Sequence, residues 1–323
     1  MDDKKIITLI DSGLSATEIC DNLSAPIDAK RYTYTDLFET VNHMKEDGIF
    51  YYPTYGNNGE IYYTRKKVNS DDPIKFKATN GMFTAVALSD IHVGSAYDDL
   101  KRLDIVGDYV LNKDIHFIFN AGDNIDGPAH TRQSMPRRIY DLDKQIEEFI
   151  RCYPQAFDLT TICALGDHDL GIKTYDNSTF NKILREERHD IKVYSSGYGI
   201  IKINDREILL CHDSSDSRIK QRLTDDMILI AGHSHEFRNN TYYNGKNLSL
   251  RFVCPSMSKL PEYNGKTSGF LRFDFVVENN SLTSVFVQHF IFDSNNKIIL
   301  ANEQHYSLVL GNNFCRIKRW IVL

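Results

Sequence analysis

Residues 115–126 read IHFIFNAGDNID, an apolar run that ends in a glycine and then in two carboxylates. The run has the length and the composition of a buried β-strand. Gly122 comes directly before Asp123, and a glycine at that point lets the backbone turn sharply. The stretch therefore predicts a strand that delivers acidic side chains to the edge of a sheet.

The same arrangement recurs at four other apolar segments of the chain. Helical patterns separate several of them, which predicts an α/β layered domain that ends in a β-rich half. A single polar residue after a strand is usually an ordinary surface group, but five segments that all end this way favour a shared site. Sites in α/β sheets form at the carboxyl ends of strands. The polar residues that follow the other four segments are Asp90 and His92, Asp167 and His168, His212, and His233 and His235.

These residue types indicate a metal centre. Carboxylates together with imidazoles bind manganese, iron or zinc, whereas calcium prefers oxygen alone. Residues two apart in an extended segment point to the same side. Asp90 and His92 can therefore chelate as a pair, and so can His233 and His235. Two metal ions need a shared ligand, and Asp123 is the natural candidate.

The order of these motifs along residues 82–290 resembles that of the calcineurin-like metallophosphoesterases. The motifs are DxH at Asp90, GDxxD at Gly122, GDHD at Gly166, the single His212, and GHxH at Gly232. The resemblance implies a four-layer αββα sandwich with two divalent metal ions, of which manganese is favoured and iron or zinc are alternatives. The implied ligands of the first metal are Asp90, His92, Asp123 and His235, and those of the second are Asp123, Asp167, His212 and His233.

The resemblance also implies a reaction. Metal coordination lowers the pKa of water from about 15.7 towards 7, so that activated water attacks phosphorus in line. His168 would donate a proton to the leaving group, and Asp126 would orient its imidazole. The family usually has asparagine at the position of Asp167. The extra negative charge is expected to tighten metal binding and to make the site less attractive to an anionic substrate.

The substrate is expected to be a phosphodiester, with DNA or RNA favoured. Phosphoprotein phosphatases of this superfamily usually carry an arginine after GDxxD, where this chain has Gly127. Residues 89–95 and 122–127 are more similar to the small subunit of archaeal replicative DNA polymerase and to repair nucleases. One alternative is a small-molecule phosphodiesterase or nucleotide pyrophosphatase, and another is a regulatory DNA- or protein-binding factor with a weak phosphoesterase domain. The predicted phosphate contacts at the rim are His130, Arg132, Arg137 and Arg138.

Residues 1–68 resemble a winged helix-turn-helix module. A capping box at Ser15 and Glu18 opens the second of three predicted helices, Thr35 is expected to cap the third, and an aromatic hairpin follows. Neutralising phosphates requires lysine and arginine, but the third helix is mainly acidic. The module is therefore assigned either to DNA or RNA contact or to a protein partner, and a homodimer is a further option.

The chain has 323 residues and a net charge of −6, and 41% of it is hydrophobic. This length suits two domains. We assign residues 69–80 to a linker, 81–295 to the phosphoesterase domain and 296–323 to a C-terminal strand or tail. The sequence contains no apolar run long enough to span a membrane, so no membrane partner is expected. Six cysteines without a CxxC pair predict reduced thiols in a cytoplasmic protein.

Overall fold

The structure of the protein is a computed structural model. It describes residues 3–24, 31–128, 136–174, 178–224, 226–243, 248–259 and 267–308. His130 and Arg132, two of the predicted phosphate contacts, lie outside the described residues. None of the described helices combines the length and the apolar character that crossing a membrane requires.

The N-terminal module consists of three helices and a hairpin, in the order that the sequence predicts. Ser15 and Glu18 form the expected capping box. The third helix begins two residues earlier than expected, because its N-cap is Thr33, which forms a capping box with Asp36, and not Thr35. The winged-helix assignment itself stays a prediction. The elements are α1 (Asp3–Asp11), α2 (Ala16–Leu23), α3 (Tyr34–Met44), β1 (Tyr52–Tyr55) and β2 (Ile61–Thr64).

Within the described residues, the second part of the chain contains two mixed β-sheets and four helices. Its first elements are β3 (Ile74–Phe76), β4 (Gly81–Leu88), α4 (Leu100–Asn112), β5 (Phe117–Asn120), α5 (Leu142–Cys152), β6 (Thr160–Ala164), α6 (Phe180–Glu187) and β7 (Ile191–Tyr194). The remaining elements are β8 (Tyr198–Ile203), β9 (Arg206–Cys211), α7 (Ser217–Arg222), β10 (Ile228–Ala231), β11 (Arg238–Tyr243), β12 (Leu248–Val253), β13 (Gly269–Glu278), β14 (Ser281–Phe292) and β15 (Ile298–Ser307).

The two sheets pack face to face. One has the strand order β15-β14-β13-β4-β5-β6-β7, and the other has the order β11-β12-β10-β9-β8-β3. Phe119 of β5 and Ile230 of β10 belong to one buried core between the sheets. Helices α4, α5 and α6 cover the outer face of the first sheet, where Phe149 of α5 is buried. Ile219 of α7 packs on the outer face of the second sheet. These four layers confirm the predicted αββα sandwich.

Three boundaries differ from the sequence-based expectations. The predicted linker contains β3, whose Ile74 and Phe76 are buried because β3 pairs in parallel with β8. The segment 296–323, predicted to be a C-terminal strand or tail, contains the strand β15, which pairs with β14 and so extends the first sheet beyond the predicted domain boundary at residue 295. The sequence also predicts a helix over about residues 137–151, but α5 begins at Leu142, because Asp141 caps it and its side chain accepts the Lys144 N–H.

Helix α3 joins the N-terminal module to the α/β part. The ring of Phe38 lies 4.7 Å from the ring of His189, and Tyr34 lies 4.7 Å from Phe157. Asn42 Nδ2 donates to the carbonyl oxygen of Glu186 over 2.6 Å. One face of α3, the helix that a winged helix would place in a DNA groove, is therefore already buried against the rest of the protein.

Replacing Phe38 with alanine is expected to lower the free energy of unfolding by about 3–5 kcal/mol, since it removes a fully buried ring and leaves a cavity. Urea denaturation followed by circular dichroism measures the change. Phe50→Ala is the matched control, because the side chain of Phe50 is largely exposed. Equal losses in the two variants would show that Phe38 contributes no specific packing.

Candidate metal centre

Five strands deliver polar side chains to one edge of the sandwich. The loops after β4, β5 and β6 come from the first sheet, and those after β9 and β10 come from the second. Backbone hydrogen bonds hold the first two loops together. The Asp90 N–H donates to Gly122 O over 2.9 Å, and the His92 N–H donates to Asp123 O over 3.0 Å. The convergence expected from the sequence is therefore present, and it uses both sheets.

Five of the predicted ligands have left-handed backbone conformations. Such conformations are uncommon in residues other than glycine and cost about 1–3 kcal/mol each. They cluster at functional sites, where the surrounding structure holds them in place. No signal in the sequence predicted this feature. The residues and their φ angles are Asp90 (56°), His92 (51°), Asp123 (54°), His233 (71°) and His235 (58°).

Glycines permit the close approach of these loops, as the sequence predicts. Gly122 has a φ of +89°, the left-handed region that favours glycine. Gly166 serves in another way, because a Cβ atom there would lie 2.1 Å from Asp123 Oδ1. A side chain at residue 166 would therefore displace the Asp123 carboxylate.

The first ligand cluster consists of Asp90, His92 and His235, all of which are buried. Asp90 Oδ1 lies 3.2 Å from His235 Nε2 and 3.9 Å from His92 Nε2. This oxygen is buried and has no hydrogen-bond partner among the residues that the structure describes. A buried carboxylate oxygen that faces two imidazole nitrogens fits a divalent metal ion.

The second ligand cluster consists of Asp123, Asp167, His212 and His233. His212 Nε2 lies 3.0 Å from Asp123 Oδ2 and 3.1 Å from Asp167 Oδ1. His233 Nδ1 lies 3.3 Å from the same Asp167 oxygen. His212 donates its Nδ1–H to Ala121 O over 2.7 Å, which directs Nε2 into the cluster.

Asp123 connects the two clusters. Its Oδ2 atom lies 3.0 Å from His212 Nε2 in the second cluster and 3.7 Å from His92 Nε2 in the first. Its other oxygen accepts the His168 N–H over 3.0 Å, which fixes the carboxylate. The structure thus brings all seven predicted ligands together with Asp123 between the two sets. The side chains of Asp167 and His233 are 61% and 45% exposed, so the second cluster opens to solvent while the first is buried.

In the second cluster, the carboxylates and the imidazoles stabilise each other's charged forms. Burial acts to raise the pKa of Asp123, but the charge and hydrogen bond of His212 hold the pKa of that carboxyl well below its usual range. Burial acts to lower the pKa of His212, but Asp123 and Asp167 hold it well above its usual value. Hydrogen bonds from His212 and His233 also keep the pKa of Asp167 far below normal. Metal binding at these atoms requires neutral imidazoles, so it releases protons.

His168 lies beside the clusters, but its orienting group differs from the expected one. Its Nδ1–H donates to the backbone carbonyl oxygen of Asp126 over 2.7 Å. The Asp126 carboxylate instead lies 2.6 Å from Arg137 Nε and 3.7 Å from His92 Nδ1. Asp126 therefore orients His168 through its main chain, which corrects the predicted role of its side chain. The bond at Nδ1 leaves Nε2 as the atom available for proton transfer.

Asp169 is a positioning residue that the sequence analysis left without a role. Its buried carboxylate accepts both the main-chain and side-chain N–H groups of Asn124, and the N–H groups of Ile125 and Gly166. Burial and the nearby charge of Asp123 raise the pKa of Asp169 to about 7, whereas these donors favour the ionised form. Asp169 thus ties the loop after β5 to the loop after β6. The sequence signal that could have identified Asp169 is its position as the last residue of the GDHD motif.

Two arginines predicted to bind phosphate are engaged within the protein. The Arg137 side chain is buried, pairs with Asp126 and donates to Pro128 O over 3.0 Å. Arg138 makes a two-point contact with Asp98 over 2.6 and 3.1 Å. Each guanidinium group faces a carboxylate of the same chain, and that of Arg137 is buried, so neither is presented as an unpaired cation. Their role as phosphate contacts stays a prediction.

Asp123→Asn is expected to reduce the bound metal from two ions per chain to less than one, because one oxygen faces both clusters. Elemental analysis after gel filtration in manganese measures the stoichiometry. Asp114→Asn serves as the control, since that carboxylate is 92% exposed and lies in a different cluster. Two ions per chain in Asp123→Asn would contradict the bridging assignment.

Comparison with known proteins assigns the fold to a family. The family model described as calcineurin-like phosphoesterase matches residues 83–258. A search of curated proteins finds no match. Among solved structures, wild-type Vps29 with zinc from Entamoeba histolytica is 14% identical over 70% of this chain and 99% of its own, with a TM-score of 0.38.

Two enzymes are also among the similar structures. Purple acid phosphatase PPD1 from yellow lupin, Lupinus luteus, is 10% identical, covers 70% of this chain and 54% of its own, and has a TM-score of 0.42. NAD nucleotidase from Haemophilus influenzae is 10% identical, and the match covers 69% of this chain and 54% of the nucleotidase chain, with a TM-score of 0.39. Because the matched model spans more than half of the chain, the protein belongs to the calcineurin-like phosphoesterase family.

Proposed function

We propose that this protein is a two-metal phosphodiesterase that acts on a small phosphodiester. The observation that carries this proposal is a pair of clefts, one beside each ligand cluster. His235, Ser256 and Ser258 line one of them, which has a volume of about 300 Å³. The other has a volume of about 220 Å³, and its lining residues include Asp167, His212, His233 and Arg218. A phosphodiester carries two substituents, and each cleft can accept one.

The charge of the ligand set supports a diester over a monoester. Two divalent ions carry four positive charges, and Asp90, Asp123 and Asp167 offset three of them. An asparagine at residue 167 would leave one more positive charge. A phosphodiester carries one negative charge near neutral pH, whereas a monoester carries nearly two. The site of this chain therefore attracts a monoester less strongly than the usual family site would.

Each side chain has a role in this proposal. When bound, the metal ions supply an activated water and stabilise negative charge on phosphate oxygens. The hydrogen bond to Asp126 O fixes the ring of His168, whose Nε2–H in the protonated form can protonate the leaving oxygen. Ser256 donates its hydroxyl to Asp90 O over 3.0 Å, which fixes the loop that carries the first cluster.

The internal contacts of Arg137 and Arg138 favour a small substrate over DNA or RNA. Binding a polynucleotide backbone requires several unpaired lysine or arginine side chains along a groove. Both of these arginines are paired with carboxylates, and one face of α3 is buried against the α/β part. We accordingly place the small-molecule alternative ahead of the nuclease expected from the sequence. Manganese suits the mixed carboxylate and imidazole donors, and we retain the cytoplasm as the proposed location.

Hydrolysis of bis(4-nitrophenyl) phosphate against 4-nitrophenyl phosphate, with Mn²⁺ and with Asp123→Asn as the blank, tests this function. We expect metal-dependent turnover with a higher kcat/KM for the diester. Cyclic mononucleotides and single-stranded DNA and RNA are then compared. Preference for the monoester contradicts the phosphodiesterase proposal, and preference for the polynucleotides contradicts the small-substrate assignment.

Asp167→Asn is expected to raise the ratio of monoester to diester turnover about fivefold. Removing one charge beside the phosphate changes the difference in binding by about 1 kcal/mol after solvent screening. Steady-state kinetics on the two nitrophenyl substrates measures the ratio. Asp213→Asn, one residue from His212 and in the same cleft, is the matched control. An unchanged ratio would contradict the argument that the charge of Asp167 disfavours a monoester.

His168→Ala is expected to lower kcat for an alkyl phosphodiester by about 10²–10⁴-fold, and to affect a nitrophenyl ester much less. Nitrophenolate is a good leaving group and departs without a proton, whereas an alkoxide is a poor leaving group and needs one. Metal content is measured in the same samples and should stay at two ions per chain. His116→Ala is the control, since His116 contacts Asp158 away from the centre. Equal losses on both substrates would exclude His168 as the proton donor.

A further inference from the structure

A second cavity lies between the N-terminal module and the α/β part, away from the metal centre. Its volume is about 680 Å³, more than the two metal-centre clefts together. Lys45, at the end of α3, and Tyr52 of β1 line it from the module. Arg185 of α6 and Lys192 of β7 line it from the other side. Nothing in the proposed reaction uses this cavity.

The cavity concentrates positive charge in a protein of net charge −6. Four cationic side chains line it, and Asp72 is the one acidic residue in the described lining. Within the part of the chain that the structure describes, no carboxylate oxygen lies within 4.0 Å of the charged nitrogens of these four residues. Buried charges in proteins are normally paired; of these four, Lys192 is buried, Lys45 and Arg185 are half-buried and Lys67 is exposed. The four cations are Lys45, Lys67, Arg185 and Lys192.

Lys192 and Arg185 are the most confined of the four. Lys192 is 7% exposed, and its ammonium group donates to Asn69 O over 3.4 Å, which gives it a neutral partner only. Burial, followed by the charge of Arg185, lowers the pKa of Lys192 to about 8. Arg185 Nη2 donates to Ser195 Oγ over 2.6 Å and to Val193 O over 3.2 Å. Its Nε is buried without an acceptor among the described residues.

We propose that this junction cavity binds a nucleoside phosphate, whose phosphate group supplies the missing negative charge to Arg185 and Lys192. The cavity is much larger than a phosphate group, and Tyr51, Tyr52 and Tyr55 form part of its wall. Aromatic side chains provide stacking surfaces for nucleobases. Arg185 and Lys192 line the cavity from the α/β part and the tyrosines line it from the module, so the two walls fit the two halves of a nucleotide.

Binding at this position would couple the module to the metal centre. Helix α6 and β7 directly follow the loop that carries Asp167 and His168. A ligand that contacts Lys45 on one side and Arg185 on the other would hold the module against these elements. The proposed site is thus a regulatory site, distinct from the site of hydrolysis.

Isothermal titration calorimetry on the full chain tests the proposal, with AMP, adenosine and inorganic phosphate as probes. EDTA is present throughout, so that the metal centre does not contribute. AMP is expected to bind more tightly than either fragment. Arg185→Gln and Lys192→Gln should each weaken AMP binding by about tenfold or more. Lys182→Gln, on an exposed position of the same helix, is the matched control and should bind AMP as the wild type does.

Absence of AMP binding, or equal binding by the two cavity variants and the wild type, overturns the proposal. Phosphate that binds as tightly as AMP overturns the nucleoside part of it. A second readout does not depend on any ligand. Lys192→Met removes a buried ammonium group that has no described carboxylate within 4.0 Å and feels Asp71 and Asp72 only from farther away, so the melting temperature of the variant without ligand should rise. A lower melting temperature would show that the ammonium group is already satisfied within the protein.

Discussion

The position of the Asp123 carboxylate is the constraint on which the rest of the metal centre depends. One of its oxygens faces histidines of both clusters, and the other accepts the His168 N–H. To reach this position, the loop after β5 must touch the loops after β4 and β6. That requirement explains why Gly166 has no room for a side chain and why the backbone of Asp123 is left-handed.

The two sheets have different parts in this arrangement. The first sheet contributes Asp90, Asp123 and Asp167, so it supplies all three carboxylates. The second contributes only histidines. Close packing of the sheets brings the carboxylates of the first sheet next to the histidines of the second. The contact between Asp123 and His212 therefore lowers the pKa of the carboxyl group and raises the pKa of the imidazole. The core between the sheets therefore supports the metal centre as well as the fold.

Much of this could be predicted from the sequence, because buried strands and their polar ends leave a local signature. The layered α/β fold and the polar strand ends follow from that pattern, and the resemblance to the metallophosphoesterases adds which seven of these residues are expected to be ligands. What the sequence could not show depends on contacts between distant residues. Arg137 has the composition of a phosphate contact, but its partner is Asp126 inside the protein. The strand β3 has too few residues to be recognised, and pairing with β8 alone defines it.

The account rests most directly on two metal ions that share one carboxylate. Crystals grown in Mn²⁺ and measured at the manganese absorption edge test this claim. The account predicts two anomalous peaks per chain, one beside Asp90, His92 and His235 and the other beside Asp167, His212 and His233, with Asp123 in contact with both. A single peak, or two peaks of which Asp123 contacts only one, would contradict it.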